Sequence, residues 1–134
     1  MRPTRALIAV VLLSLSTTAS AQLAALKNTT PQQRATLLTK LMQEKLELSG
    51  NTLQQVTAIN LEYANKAQPI LQGADRPLEE LREMKELNEE EDAALKQVLS
   101  AGQFQQYRAA KAELRQRFEQ RIMKGANGPA GCPQ

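Results

Sequence analysis

Few residues of this chain have the chemistry that a catalytic or metal site needs. The sequence contains no histidine, so the commonest general base and metal ligand is missing. The densest group of potential ligands is the acidic run Glu89-Glu90-Glu91-Asp92. Four consecutive helical positions point all round the helix, which favours a solvated face over a site that converges on one ion. We therefore predict a protein that is not an enzyme and that holds no metal and no cofactor.

The only thiol, Cys132, lies in a stretch rich in glycine and proline at residues 125–134, which we expect to be a disordered tail. A single cysteine cannot close a disulfide within its own chain. Two alternatives stay open for Cys132: it cross-links two chains, or it stays free.

The first 21 residues have the features of a secretory signal peptide. Arg2 and Arg5 precede an apolar run from Ala6 to Leu15, and small residues follow up to Ala21. We predict cleavage after Ala21, export to the periplasm, a helical domain at 22–124 and no transmembrane anchor. Cleavage leaves 15 basic against 14 acidic residues, so the excess of positive charge is too small to indicate a nucleic-acid partner.

An eight-residue pattern occurs twice, at 48–55 and again 51 residues later at 99–106. Leucine, serine and a Gln-Gln pair recur at matching offsets. A serine followed three residues later by glutamine is typical of a capping box at a helix start, and the flanking apolar residues can form a hydrophobic staple. Thr52 replaces that glutamine in the first copy. The predicted motif and cap residues are Leu48, Ser49, Leu53, Leu99, Ser100, Gln103 and Phe104.

Apolar residues at spacings of three and four predict four long amphipathic helices, and hence an all-α fold of two capped helical hairpins. The first helix begins at Thr30, a cap followed by proline and a box-forming glutamine. Pro69 is expected to bend or end the second helix. The apolar face expected for the third helix consists of Leu78, Leu81, Met84, Leu87, Leu95 and Val98.

The third helix is acidic and the fourth is basic, and this charge segregation has two interpretations. In one, the two helices pair within a hairpin or across a dimer. In the other, the apolar stripe of the fourth helix and its cationic margins contact a partner. The candidate partner-binding residues are Phe104, Tyr107, Arg108, Leu114, Arg115, Arg117, Phe118, Arg121 and Ile122.

The two repeated segments resemble the LTxxQ motifs of the Spy/CpxP family of periplasmic proteins. Residues 99–103 match with serine in place of threonine, and residues 48–52 match in their first two positions. Phe104-Gln105-Gln106-Tyr107 then leads into a basic helix, as the resemblance requires. The resemblance covers about residues 30–124. It implies long helices in hairpins that dimerise into a curved, cradle-like homodimer.

The resemblance also implies a function. It points to an ATP-independent chaperone, a holdase, that binds unfolded or partly folded periplasmic proteins under stress. The alternative is an accessory regulator that docks on the periplasmic domain of an envelope-stress sensor kinase and restrains it. A third hypothesis is a dimeric helical module that has no client. A metal-sensing branch of the family uses histidine ligands, so that role does not transfer to this chain.

Overall fold

The computed structural model describes residues 24–73 and 76–126 of the 134-residue chain. After a short helical turn at 24–27, four helices follow: α1 (Pro31–Leu46), α2 (Gly50–Gln72), α3 (Pro77–Val98) and α4 (Ala101–Ala126). The predicted all-α class is confirmed. None of these helices is long and apolar enough to cross a membrane. The predicted signal peptide at 1–21 and Cys132 both lie outside the described residues.

Two helices, α1 and α4, begin with a capping box, in which two residues three positions apart exchange side-chain to backbone hydrogen bonds. The Gln33 backbone N–H donates to the Thr30 hydroxyl at 3.1 Å, and the Thr30 N–H donates to the Gln33 side chain at 2.9 Å. Ser100 and Gln103 make the same reciprocal pair, with both bonds at 3.1 Å. Each box satisfies two amides that the first turn of a helix leaves without partners.

The first copy of the repeat begins a helix without a side-chain cap, which corrects one expectation. Ser49 occupies the cap position of α2, but its hydroxyl accepts no capping hydrogen bond. Gly50 follows with a positive φ of 56°, so the chain enters α2 by a different path from its path into α4. Thr52 is also too short to reach back as Gln103 does. The Leu53 N–H still donates to the Ser49 carbonyl at 3.3 Å.

Pro69, expected to bend or end the second helix, lies inside α2, which continues to Gln72, so it does not end the helix. A proline removes one backbone donor and crowds the carbonyl four residues earlier. At Pro69 only one further turn of helix remains, and Gly73 closes that turn by donating to the carbonyls of Pro69 and Ile70.

The helices contact one another in the spatial order α3, α2, α1, α4. The α1 and α2 helices form a close antiparallel hairpin, α3 packs along α2, and α4 packs against α1. The expected second hairpin, α3 with α4, is not confirmed, because these two helices have the fewest contacts of the four touching pairs. Their short connection at Leu99 and Ser100 joins helices that then separate.

One hydrophobic cluster joins all four helices. Its buried members come from the end of α1, the start of α2, the end of α3 and the first half of α4. Burying one such side chain contributes about 1.5–3 kcal/mol. These residues are Leu41, Met42, Leu46, Leu48, Val56, Leu95, Leu99, Tyr107, Ala110 and Leu114.

A buried arginine connects the start of α1 to the second half of α2. The Arg34 guanidinium donates to the Thr29 carbonyl at 2.6 Å, to the Ala64 carbonyl at 3.2 Å and to the Gln68 side chain at 2.6 Å. Burial lowers the pKa of Arg34, yet a guanidinium keeps its charge in proteins. The hydrogen bonds offset the cost of that burial, and they align the start of α1 with residues 64–68 of α2.

Candidate binding surface

The apolar stripe of α4 lies in the interior of the fold. Tyr107, Leu114 and Ile122 are only 6%, 2% and 7% exposed. Phe104 and Phe118 are half-buried and pack against the same core cluster. The burial of Tyr107, Leu114 and Ile122 leaves these three candidates little surface for a client, and α4 packs mainly against α1. Client contact by the α4 stripe stays a prediction.

The cationic margins of α4 divide into exposed and engaged residues. Arg108, Arg115 and Arg121 are exposed. Arg117 is half-buried and donates to Glu44 of α1 at 3.1 Å. That pair, together with Lys45 and Glu113 at 2.8 Å, runs along the seam between α1 and α4. Lys45 and Arg117 therefore lie beside a closed contact between α1 and α4 and do not border an exposed apolar strip.

Asp92 makes the main polar connection between α3 and α4. It accepts the Tyr107 hydroxyl at 2.7 Å and the Lys111 ammonium at 2.6 and 2.7 Å. Burial first, and then the hydrogen bond to the Asp92 carboxylate and its negative charge, raise the pKa of Tyr107, so the phenol stays protonated and acts as a donor.

Glu91, beside Asp92, is half-buried at the same junction. Burial first, and then the neighbouring Asp92 charge, raise the pKa of Glu91 to about 7, although Lys111 opposes the shift. Glu89 and Glu90 are exposed. The acidic run therefore points in several directions, and no group of three or more possible metal ligands occurs in the described part of the chain.

The largest exposed apolar side chains belong to α3. Leu78 is 82% exposed and Leu81 is 69% exposed. They lie where the last turn of α2 and the start of α3 project together. We call this end of the α2–α3 pair the tip and define it as residues 69–73 and 76–87. No residue of the tip is buried, in contrast to the rest of the bundle. The tip is two helices without a third to cover them.

Helix geometry explains why the two leucines are uncovered. At 100° per residue, Leu81 and Leu78 point within about 20° and 40° of the direction of Asp92. Asp92 faces α4, which covers that side of α3 near the junction. About 16 Å further along α3, at 1.5 Å per residue, α4 has separated and the same side is open at Leu81.

Sequence reasoning placed Leu78 and Leu81 on a packed face and did not select them as binding residues. The apolar spacing at the start of α3 is three, three and three, and each such step turns the position by about 60° backwards. Leu78 and Leu87 consequently point in opposite directions, and only Met84 and Leu87 reach partial burial.

A shallow groove lies on the other side of α3, between the end of α2 and the start of α3. Pro69, Ile70 and Gly73 line its α2 side, and three glutamates and one arginine line its α3 side. The arginine, Arg76, is paired with Glu79 at 2.8 Å. Glu80 and Glu83 have no ion pair among the described residues.

The formal charge is opposite on α3 and α4. The α3 helix carries eight acidic and three basic residues, whereas α4 carries six basic and two acidic residues. The cations of the tip are engaged locally, since Arg82 contacts Glu86 at 3.0 Å and Lys85 contacts Glu89 at 3.9 Å. The exposed leucines therefore project from the acidic helix of the molecule.

Residues 19–107 match a family described as a domain of unknown function, DUF4890, and the chain belongs to that family. The match extends from before α1 into the first half of α4, and it includes both copies of the repeat and the whole tip. No curated protein and no solved structure matches the chain. The resemblance to the Spy/CpxP family stays a prediction.

Proposed function

We propose that this member of the DUF4890 family is an exported, ATP-independent chaperone that holds unfolding envelope proteins. The observation that carries the proposal is the pair of leucines exposed at the tip, Leu78 and Leu81. Large apolar side chains that project together from a surface are typical of sites that bind other proteins. The proposed contact is with apolar segments that a folded client buries and an unfolding client exposes.

The size of this surface fits reversible holding. Fully burying two leucines provides about 3–6 kcal/mol before the cost of ordering the client is subtracted. Binding energies of this size correspond to dissociation constants from several millimolar to roughly tens of micromolar, and binding of that strength reverses without nucleotide hydrolysis. A client is thus protected while it is unfolded, and it leaves when its own core removes the apolar segment from solution.

The first test is light scattering of a chemically denatured client diluted into buffer with the purified protein, without ATP and with Cys132→Ser. We expect suppression of aggregation near stoichiometric ratios. The double variant Leu78→Ser/Leu81→Ser should lose most of this suppression. A matched control, Ala58→Ser/Ala93→Ser, changes two exposed apolar positions outside the tip and should retain it.

Two results would count against the proposal. If the protein never slows aggregation in molar excess, the holdase is excluded and the regulator that docks on a sensor kinase becomes the better hypothesis. If the leucine variant suppresses aggregation as well as the parent protein, the tip is not the client surface. Circular dichroism of both variants checks that their helix content is unchanged.

Dimerisation into a cradle belongs to the same proposal, because a single chain of four thin helices buries little apolar surface by itself. Size-exclusion chromatography with light scattering should give twice the mass of one chain. A second copy is the competing occupant of the tip. If Leu78→Ser/Leu81→Ser converts dimer into monomer, the leucines form the dimer interface, and the assignment of the tip to clients is wrong.

Export is also part of the proposal. The measurement is the intact mass of the protein recovered from the periplasmic fraction of a bacterial host. Processing after Ala21 should leave a chain that begins at Gln22. If the chain stays unprocessed in the cytoplasm, it does not meet envelope proteins, and the proposal that it holds them is wrong.

A further inference from the structure

We infer that the tip selects client segments that carry lysine or arginine beside their apolar residues. This inference rests on the proposed function and reverses the charge preference that the basic α4 indicated. The stripe of α4 is buried, whereas the exposed leucines belong to α3, which has an excess of five acidic residues. The described residues of the tip itself carry four acidic and three basic side chains, so a docked client meets a small excess of negative charge there.

The cations of the tip do not neutralise all of its carboxylates. Arg76 is held by Glu79, and Arg82 and Lys85 by Glu86 and Glu89. Each of these pairs joins residues three or four positions apart, within α3 or between α3 and its N-cap residue Arg76. Glu80 and Glu83 have no such pair among the described residues. These carboxylates are the ones that a cationic client can engage.

Among the described residues, no ion pair joins a cation of α4 to the tip. Lys111 is bonded to Asp92 and Arg117 to Glu44. Both pairs lie at helix seams close to the core, on the far side of the point where α4 separates from α3. Electrostatic attraction at the tip is therefore set mainly by α3.

The groove between α2 and α3 is complementary to a lysine or arginine side chain. Pro69 and Ile70 offer apolar surface for an aliphatic stem, and Glu80 and Glu83 offer carboxylates for the charged head. The last turn of α2 has no basic residue, so the partial negative charge of that helix end is uncompensated there. At 100° per residue, Leu81 and Glu83 point about 160° apart on α3, so a segment that contacts both must follow the surface of the tip as an extended, unfolded chain.

The test compares two unfolded, fluorescein-labelled peptides with leucines at identical positions, one with four lysines and the other with four glutamates. Binding to the full protein is followed by fluorescence anisotropy at low and at high salt. Each exposed ion pair changes affinity only a few-fold, so we expect the lysine peptide to bind about tenfold more tightly at low salt. The difference should shrink at high salt, where surface charges are screened.

Two charge variants locate the effect. Glu80→Gln/Glu83→Gln removes the groove carboxylates and should weaken the lysine peptide several-fold. Glu47→Gln/Glu90→Gln removes the same charge at exposed positions outside the groove, and it should weaken that peptide less. Glu47→Gln/Glu90→Gln changes neither the exposed leucines nor the groove, so this control should still suppress aggregation of a client.

The inference is overturned if the glutamate peptide binds as tightly as the lysine peptide, if neither peptide binds, or if the groove variant binds the lysine peptide like the parent protein. None of these results depends on the aggregation assay. A loss of suppression in Leu78→Ser/Leu81→Ser would still support the holdase in each case. Conversely, selective binding of the lysine peptide without any suppression of aggregation would support a cation-selective docking surface and exclude the holdase.

Discussion

Replacing Glu91 with glutamine should stabilise the protein at alkaline pH and leave it unchanged in acid. Glu91 is half-buried at the α3–α4 junction, where burial and the adjacent Asp92 raise its pKa from 4.5 to about 7. An acid whose pKa is higher in the folded state binds more protons there than in the unfolded chain. The free energy of unfolding therefore falls as the pH rises from about 4.5 to about 7, and it stays low above that.

The size of the effect follows from the shift. One pKa unit corresponds to about 1.4 kcal/mol, so a rise from 4.5 to about 7 sets an upper bound of about 3 kcal/mol. Partial exposure lets solvent screen the charge, and the junction can relax, so we expect about 1–2 kcal/mol. Glutamine keeps the shape of the side chain and cannot ionise, so the variant should avoid this loss.

The assay is urea unfolding followed by circular dichroism at pH 5, 6, 7 and 8. With a urea dependence of about 1–3 kcal/mol per molar, the midpoint of Glu91→Gln should exceed that of the parent by roughly 0.5–1 M at pH 8. The two midpoints should converge toward pH 5. The control, Glu89→Gln, removes an exposed carboxylate two residues away, and its midpoint should follow the parent at every pH.

Either of two outcomes would refute this reasoning. If Glu91→Gln is no more stable than the parent at pH 8, the carboxylate is not destabilised by its surroundings. If Glu89→Gln produces the same pH dependence, the effect comes from the overall negative charge of α3 and not from the position of Glu91.

Three further predictions use the same urea assay at pH 7. Ser100→Ala removes a capping hydroxyl and should cost about 1 kcal/mol, whereas Ser49→Ala should cost clearly less because Ser49 makes no side-chain cap bond; equal losses would contradict the different roles of the two copies. Tyr107→Phe removes one of the two donors to Asp92 and should cost about 1 kcal/mol, and an unchanged midpoint would mean that Lys111 alone holds the junction. Leu114→Ala opens a cavity in the core and should cost about 2–5 kcal/mol; a loss below about 1 kcal/mol would mean that the α4 stripe is surface.

The sequence by itself determined the features that depend on neighbouring residues. The boxes at Thr30 and at Ser100 need only a side chain three positions away, so their residues identify them. The all-α class follows from spacings of three and four along each helix. The one local feature that was misjudged, the cap at Ser49, depends on the backbone of Gly50, whose positive φ no spacing rule announces.

Only the tertiary structure decided which apolar residues are core and which are surface. The stripe of α4 and the leucines of α3 have similar composition and spacing, yet Leu114 is buried and Leu78 is exposed. The difference arises because α4 packs against α1 and separates from α3. The start of α3 is left with α2 as its single neighbour. Burial is a property of what lies opposite a side chain, and that partner comes from a helix tens of residues away.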